Sequence, residues 1–312
     1  METAAAAEEK VNRLRGGILL MLALLTAAAG GAAERFAPHP VRYEMRRDLS
    51  IYFTNADEIV RTIRTALKRR DPYFDIEYRS HRNNMDDLAV IVRELMARAF
   101  DETGDPAEGD CLYHQYGGYD MTYTYTMDGG TYCYTLHIVP VLYTTREQEA
   151  AAEEKVKQVL ADLDLPQSAG AYEKIAAVHD YLAAHTAYDT VHRKNEHYHI
   201  KSTVYGALVY GRAACQGYAV TACRLLRELG VPCCVITGTL TYPDGSAEAH
   251  AWNLTAIDGQ WYNLDVTMDV QDGTRTHFLC TDADLPAYTR DAQYADAEFC
   301  AQHPVAAARY PA

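Results

Sequence analysis

Residues 210–219 read YGRAACQGYA and set Cys215 just ahead of Gln216-Gly217, at the mouth of what reads as a helix, QGYAVTACRLLRELG. In that helix Ala219, Ala222, Cys223, Leu226 and Leu229 recur at steps of three and four, and Gly230-Val231-Pro232 ends it. A thiol attacks as its thiolate, and the first-turn N–H groups of a helix, with its dipole, stabilise that anion. The same groups can hold the oxyanion that forms when an acyl carbon is attacked. Gly217 has no side chain and is expected to let a substrate backbone approach. A cysteine before a helix is as readily a small buried hydrophobe, so the reactive reading requires partners elsewhere in the chain.

Those partners lie downstream. VPCCVITGTLTY, HAWNLTAI and QWYNLDVTMD read as three short antiparallel strands, the first two separated by a PDG turn and the last two by Asp258-Gly259. If the Asp-Gly turn is the two-residue kind that this pair prefers, Ile257 faces Gln260 and position 267 lies opposite His250. Asp265 is then the diagonal neighbour of His250 on the same face, roughly 7–8 Å away at Cα and within side-chain reach. The order Cys215, His250, Asp265 supplies a nucleophile, a base and an orienter. Helix entry, shared strand face and chain order are independent requirements, and all three are met.

The blocks ACQGYA, AHAWNL and WYNLDVT resemble the three core motifs of the transglutaminase-like superfamily, in its bacterial branch. The resemblance spans about residues 172–285, including YGALVYGRAACQGYA and HFLCTD. It implies an α+β, papain-like thiol fold in which a cysteine helix packs on an antiparallel sheet. It also implies Cys215 as nucleophile, His250 as general base and acid, and Asp265 as orienter. Gln216, Gly217, Tyr218, Trp252 and Tyr262 match positions of the same blocks and are expected to bind substrate or pack beside the site. The implied chemistry is acyl transfer on peptide or protein amides through a thioester. Water as second nucleophile gives a peptidase or amidase; an amine gives a cross-linking transferase. A cell-wall peptide is one such substrate. A non-catalytic peptide- or wall-binding module on the same fold is the alternative.

The rest of the chain bounds this reading. At 312 residues there is room for two domains and a sizeable core. A net charge of −14 argues against a nucleic-acid partner, which needs basic patches. Arg13 and Arg15 precede ILLMLALLTAAAGGAA, which reads as a secretory signal peptide or, uncleaved, as a membrane anchor, with a buried core helix as the plain alternative. The expectation is therefore an extracytoplasmic protein, secreted or membrane-anchored, with residues 1–33 as that segment.

Residues 41–145 alternate strand, helix, strand, helix and a hairpin around Asp128-Gly129-Gly130, which suggests a small α+β domain. The hairpin sets Tyr119, Met121, Tyr123, Tyr125 and Met127 on one face. That face either covers the two helices or offers an aromatic platform to sugar or peptide, and covering the helices is the favoured reading. Residues 146–169 read as a helical linker, 170–290 as the catalytic domain and 291–312 as a tail. The histidines of HRKNEHYH lack zinc-site spacing, and DVTMDVQDG lacks the alternation of a calcium loop, so neither metal nor cofactor is expected. The histidine-rich stretch reads instead as a polar loop beside the cleft.

Overall fold

The computed structural model describes residues 12–15, 49, 52 and 55–311, and these form two compact units. The first takes residues 12–15, 49, 52 and 55–101 with Tyr116–Leu142; the second takes Glu102–Gln115 and residues 143–311. The apolar run at 16–33, and the strand expected over 41–54 apart from Leu49 and Tyr52, lie outside the described residues. No helix among the described residues is long and apolar enough to cross a membrane.

The first unit contains β1 (Asn12–Arg15), α1 (Ala56–Lys68), β2 (Phe74–Ser80), α2 (Leu88–Ala99), β3 (Tyr116–Asp128) and β4 (Thr131–Leu142). Its strands form an antiparallel sheet in the order β1-β3-β4-β2. Gly129 and Gly130 both take positive φ between the paired Asp128 and Thr131, the two-residue turn whose twist suits a hairpin. Met121, Tyr123, Tyr134, Leu136 and Ile138 are buried on one sheet face, and Ile59, Ile63, Leu67, Ile91 and Leu95 are buried on the helices. Asn55 occupies the cap position of α1 but makes no side-chain cap bond, its ψ of 33° lying outside the extended region that capping needs. Arg64 instead caps the far end of α2, donating to the carbonyls of Arg98 and Ala99 at 2.8 Å each.

The second unit opens with α3 (Asp110–Tyr113), α4 (Arg146–Asp162) and α5 (Ala171–His185), then β5 (Ala187–Tyr188), α6 (Val204–Leu208) and β6 (Arg212–Ala213). The central helix α7 (Cys215–Glu228) follows, then β7 (Cys233–Thr241), β8 (Ala247–Ile257) and β9 (Gln260–Leu264). It closes with α8 (Val266–Asp272), β10 (Tyr288–Arg290), α9 (Ala292–Ala295) and α10 (Ala297–Gln302). The sheet order is β10-β7-β8-β9, antiparallel throughout. Every residue of α7 from Cys215 to Leu226 is buried, so this helix is the axis of the unit rather than a surface element.

Successive residues of the sheet serve two cores. Cys233, Val235, Ala251, Ile257, Tyr262 and Leu264 join the cluster of α7. Ile236, Trp252 and Leu254 join Tyr294 and Phe299 from α9 and α10. Asp258 and Gly259 both have positive φ, and Ile257 pairs with Gln260 and Asn253 with Leu264, as the turn-length argument expects.

Two segments pack more deeply than their expected roles. The helix read as a linker, α4, buries Ala152, Val156 and Val159 in the α7 core. Its Glu153 takes both guanidinium nitrogens of the buried Arg224, at 2.6 and 2.8 Å. The segment read as a tail supplies Tyr294 and Phe299 to the second core, and Val305 bridges to Trp261. The tail's two helices, of four and six residues, are too short for periodicity to register. Residues 102–115 also belong here: Asp110 accepts from the Val235 N–H at 2.9 Å, and its Oδ2 lies 3.5 Å from Arg227.

Candidate active site

Cys215 is the first residue of α7 and carries a free thiol, 9% exposed. Ala214 before it is extended (φ −87°, ψ 179°) and offers no side-chain cap, so no side chain competes from that position for the first-turn N–H groups. The Ala214 N–H is held by the Lys201 carbonyl at 2.8 Å. The helix start is thereby fixed from behind.

His250 stands on β8 opposite Gly238, and Asp265 is the first residue past β9, where it caps α8. Both are buried, at 3% and 1% exposure. His250 Nε2 lies 2.6 Å from Asp265 Oδ2, and the Cys215 sulfur lies near enough to act on the charge of the same imidazole. With Nε2 engaged by the carboxylate, Nδ1 is the ring nitrogen left for the sulfur. The chain leaves the β9 ladder at Asp265, so position 267 never pairs with His250, but the diagonal relation survives and closes to a hydrogen bond.

Three donors from three elements meet on Asp265. Besides His250, the Met268 N–H reaches Oδ1 at 3.1 Å and the Tyr288 hydroxyl donates to Oδ2 at 2.8 Å. Burial works against the charged form of both His250 and Asp265. For His250 the Asp265 carboxylate and the Cys215 sulfur outweigh it and hold the imidazole pKa well above its ordinary value. For Asp265 the His250, Tyr288 and Met268 donors outweigh it and hold the carboxyl below its ordinary range. The pair therefore favours imidazolium beside carboxylate, the state that suits a neighbouring thiolate.

The remaining expected residues divide. Trp252 stacks near-parallel on His250, ring centroids 6.1 Å apart, and its Nε1 donates to Asn263 Oδ1 at 3.0 Å. Tyr262 is on the opposite sheet face, in the α7 core and edge-on to Tyr310. Gln216 is buried and its side-chain amide donates to the His114 carbonyl, tying the helix start to the 102–115 segment. Tyr218 is likewise buried, its hydroxyl donating to the Thr186 carbonyl. At Gly217 a Cβ would sit 2.4 Å from the Lys201 carbonyl oxygen. The close approach expected there is made by this chain's own backbone.

Sequence reasoning missed Tyr288 and, while reading the HRKNEHYH stretch as a polar loop beside the cleft, did not name the pairings that loop makes there. The HRKNEHYH loop contributes Arg193, which pairs at 3.2 Å with Glu248, two residues before His250. Glu248 also accepts from the Tyr242 hydroxyl. Burial, then the nearby Cys215 sulfur, push the Tyr188 phenol up, against the opposing charge of Arg193. Lys201 Nζ holds the loop by the His192 and Arg193 carbonyls, at 2.9 and 2.6 Å. The alternation of β8, with Glu248 on the face of His250, was the signal in the sequence for the acidic partner of that loop.

Behind Asp265, Asp269 of α8 is buried between His179 Nε2 at 3.1 Å and His277 Nδ1 at 3.0 Å. The His277 carbonyl in turn accepts from the Asp265 N–H at 3.0 Å. Among the described residues no group of three or more His, Cys, Asp or Glu could hold a metal ion. A surface depression of about 530 Å³ in the first unit, lined by Asp57, Val60, Arg61, Arg64, Arg98 and Asp101, offers no thiol, hydroxyl or imidazole and is not the candidate site.

Residues 157–266 match the model of the transglutaminase-like superfamily, a span that includes Cys215, His250 and Asp265. The matched span lies within the second unit, whose core is mixed helix and antiparallel sheet.

Among solved structures the chain is similar to a TGase, at 20% identity over 49% of this chain and 44% of that one, TM-score 0.34. It is also similar to a provisionally named cysteine protease from Cytophaga hutchinsonii, at 14% identity over 54% and 60%, TM-score 0.31. A provisionally named protease from Parabacteroides distasonis aligns at 11% identity over 46% and 35%, TM-score 0.28. The chain thus spans between about a third and three fifths of the length of these neighbours. No curated protein sequence matches it.

Proposed function

We propose that the chain is an enzyme of thiol-dependent acyl transfer on peptide or protein amides, with Cys215 as nucleophile, His250 as base and acid, and Asp265 as orienter. The observation that carries this reading is the imidazole of His250, hydrogen-bonded to Asp265 at 2.6 Å and acted on electrostatically by the sulfur of Cys215 at a helix start. His250 takes the thiol proton, and the thiolate sulfur adds to the amide carbonyl carbon. The carbonyl oxygen becomes an oxyanion beside the first-turn N–H groups of α7, with the Cys215 N–H as the donor nearest the sulfur. His250 then gives its proton to the departing amine as the C–N bond breaks, leaving a thioester on Cys215. Water or a second amine, deprotonated by His250, releases the acyl group.

The test is incubation with a peptide library and a labelled primary amine, with Cys215→Ala as control. Cleavage assigns a peptidase and amine incorporation a transferase, in each case lost in the control. Neither product, with a wild-type thiol that alkylates no faster than free cysteine, refutes the reading.

A further inference from the structure

We propose that Tyr288 is a positioning residue of this site: its phenol shares the carboxylate oxygen that holds His250 and so fixes where the imidazole points. The inference rests on the acyl-transfer reading above and extends it to a residue outside the three core sequence blocks.

Asp265 Oδ2 accepts from Tyr288 at 2.8 Å and lies 2.6 Å from His250 Nε2, whereas Oδ1 accepts from the Met268 N–H at 3.1 Å. Without the phenol the carboxylate would stay pinned at Oδ1 and could turn about that bond, carrying the imidazole with it. The Tyr288 ring stands edge-on to His250 at 5.6 Å and to Trp252 at 5.2 Å, while Trp252 lies near-parallel to His250. The imidazole is thus bounded by two rings and steered by a carboxylate that one of them holds.

Tyr288 is itself held. On β10 it pairs with Leu240, and Arg290 pairs with Gly238, the residue opposite His250. A Cβ at Gly238 would lie 2.1 Å from the Thr289 carbonyl oxygen, so the glycine admits β10 at this spacing. Burial, then the Asp265 charge, push the phenol pKa far up, so it remains a donor across any working pH. His277, at a ring distance of 6.3 Å, is the other titratable ring facing it.

Removing the donor leaves more negative charge on Oδ2 and holds the imidazolium more firmly. The test is the pH dependence of iodoacetamide alkylation at Cys215, read by peptide mass spectrometry on the full chain, which needs no substrate. In Tyr288→Phe the inflection for loss of the His250 proton should rise by roughly half a pH unit, because the imidazolium is held more tightly. Amide turnover should fall about fivefold, with kcat rather than KM carrying the loss. Site-specific 3-fluorotyrosine at 288 keeps the ring and strengthens the donor, so its inflection should move down; this variant stands in should Tyr288→Phe fail to fold. An inflection unmoved in both variants, in a wild type that shows the two-step profile, overturns the Tyr288 assignment alone. A wild type without that profile overturns the acyl-transfer reading, and the Tyr288 proposal with it.

Discussion

At Asp265 the carboxylate must remain charged in a site with 1% exposure, and three N–H or O–H donors make that tolerable. Asp265→Asn presents an amide to His250 and removes the charge that stabilises imidazolium. Turnover should drop by about 10³-fold or more, measured against wild type with the same amide substrate. His250→Gln leaves the buried carboxylate without its ionic partner and should cost about 3 kcal/mol of unfolding free energy at neutral pH. Urea denaturation would check it, and a loss under ~1 kcal/mol would contradict the assigned burial. At this scale the sequence was legible for the His250–Asp265 pairing and not for what surrounds it. The His250–Asp265 relation follows from one local turn, whereas the acceptors of Gln216 and Tyr218, the carbonyls of His114 and Thr186, are 102 and 32 residues away. The space over Gly217 is filled by Lys201, which no local pattern announces.

Elements were legible in proportion to their length and to the clarity of their turns. The β8–β9 register was fixed by Asp258-Gly259, and α7 by its spacing of small and apolar residues. Three-residue β10 and the short α9 and α10 carry too few side chains for a period, so Tyr288 escaped notice. Gly238 marks where β7 and β10 touch. Gly238→Ala should push β10 away from β7, lowering the melting temperature and Cys215 reactivity together, with an overpacking cost of about 1–3 kcal/mol. Thermal melts and alkylation rates on the same sample would show whether both fall. Arg224→Ala should loosen α4 from α7 for about 1–2 kcal/mol, the part-exposure of Glu153 and Glu228 limiting the loss. Cys215 alkylation should then change little.

For the whole molecule, pH should act through two buried carboxylates and their histidines. Asp265 and Asp269 are depressed, so their stabilisation is complete above the ordinary aspartate value of 3.8 and is lost as pH falls through the depressed values. His250 and His277 are raised, His277 chiefly by its bond to Asp269, so their stabilisation is complete below 6.5 and is lost as pH rises through the raised values. The melting temperature should therefore plateau between these limits and decline on either side. His277→Asn should flatten the alkaline decline, and an unchanged decline would remove His277 from the account.

The visit of residues 102–115 to the second unit has a consequence for how this polypeptide can be divided. A fragment starting at 143 keeps Cys215, His250 and Asp265, yet the Val235 amide and the Gln216 side chain lose the acceptors that Asp110 and His114 provide. Such a fragment should expose hydrophobic surface to dye, and a synthetic 102–115 peptide added in trans should suppress that binding. During synthesis the ribosome delivers this clasp long before the strand it secures, so residues 102–115 are held in reserve and maturation of the second unit waits on the later emergence of β7.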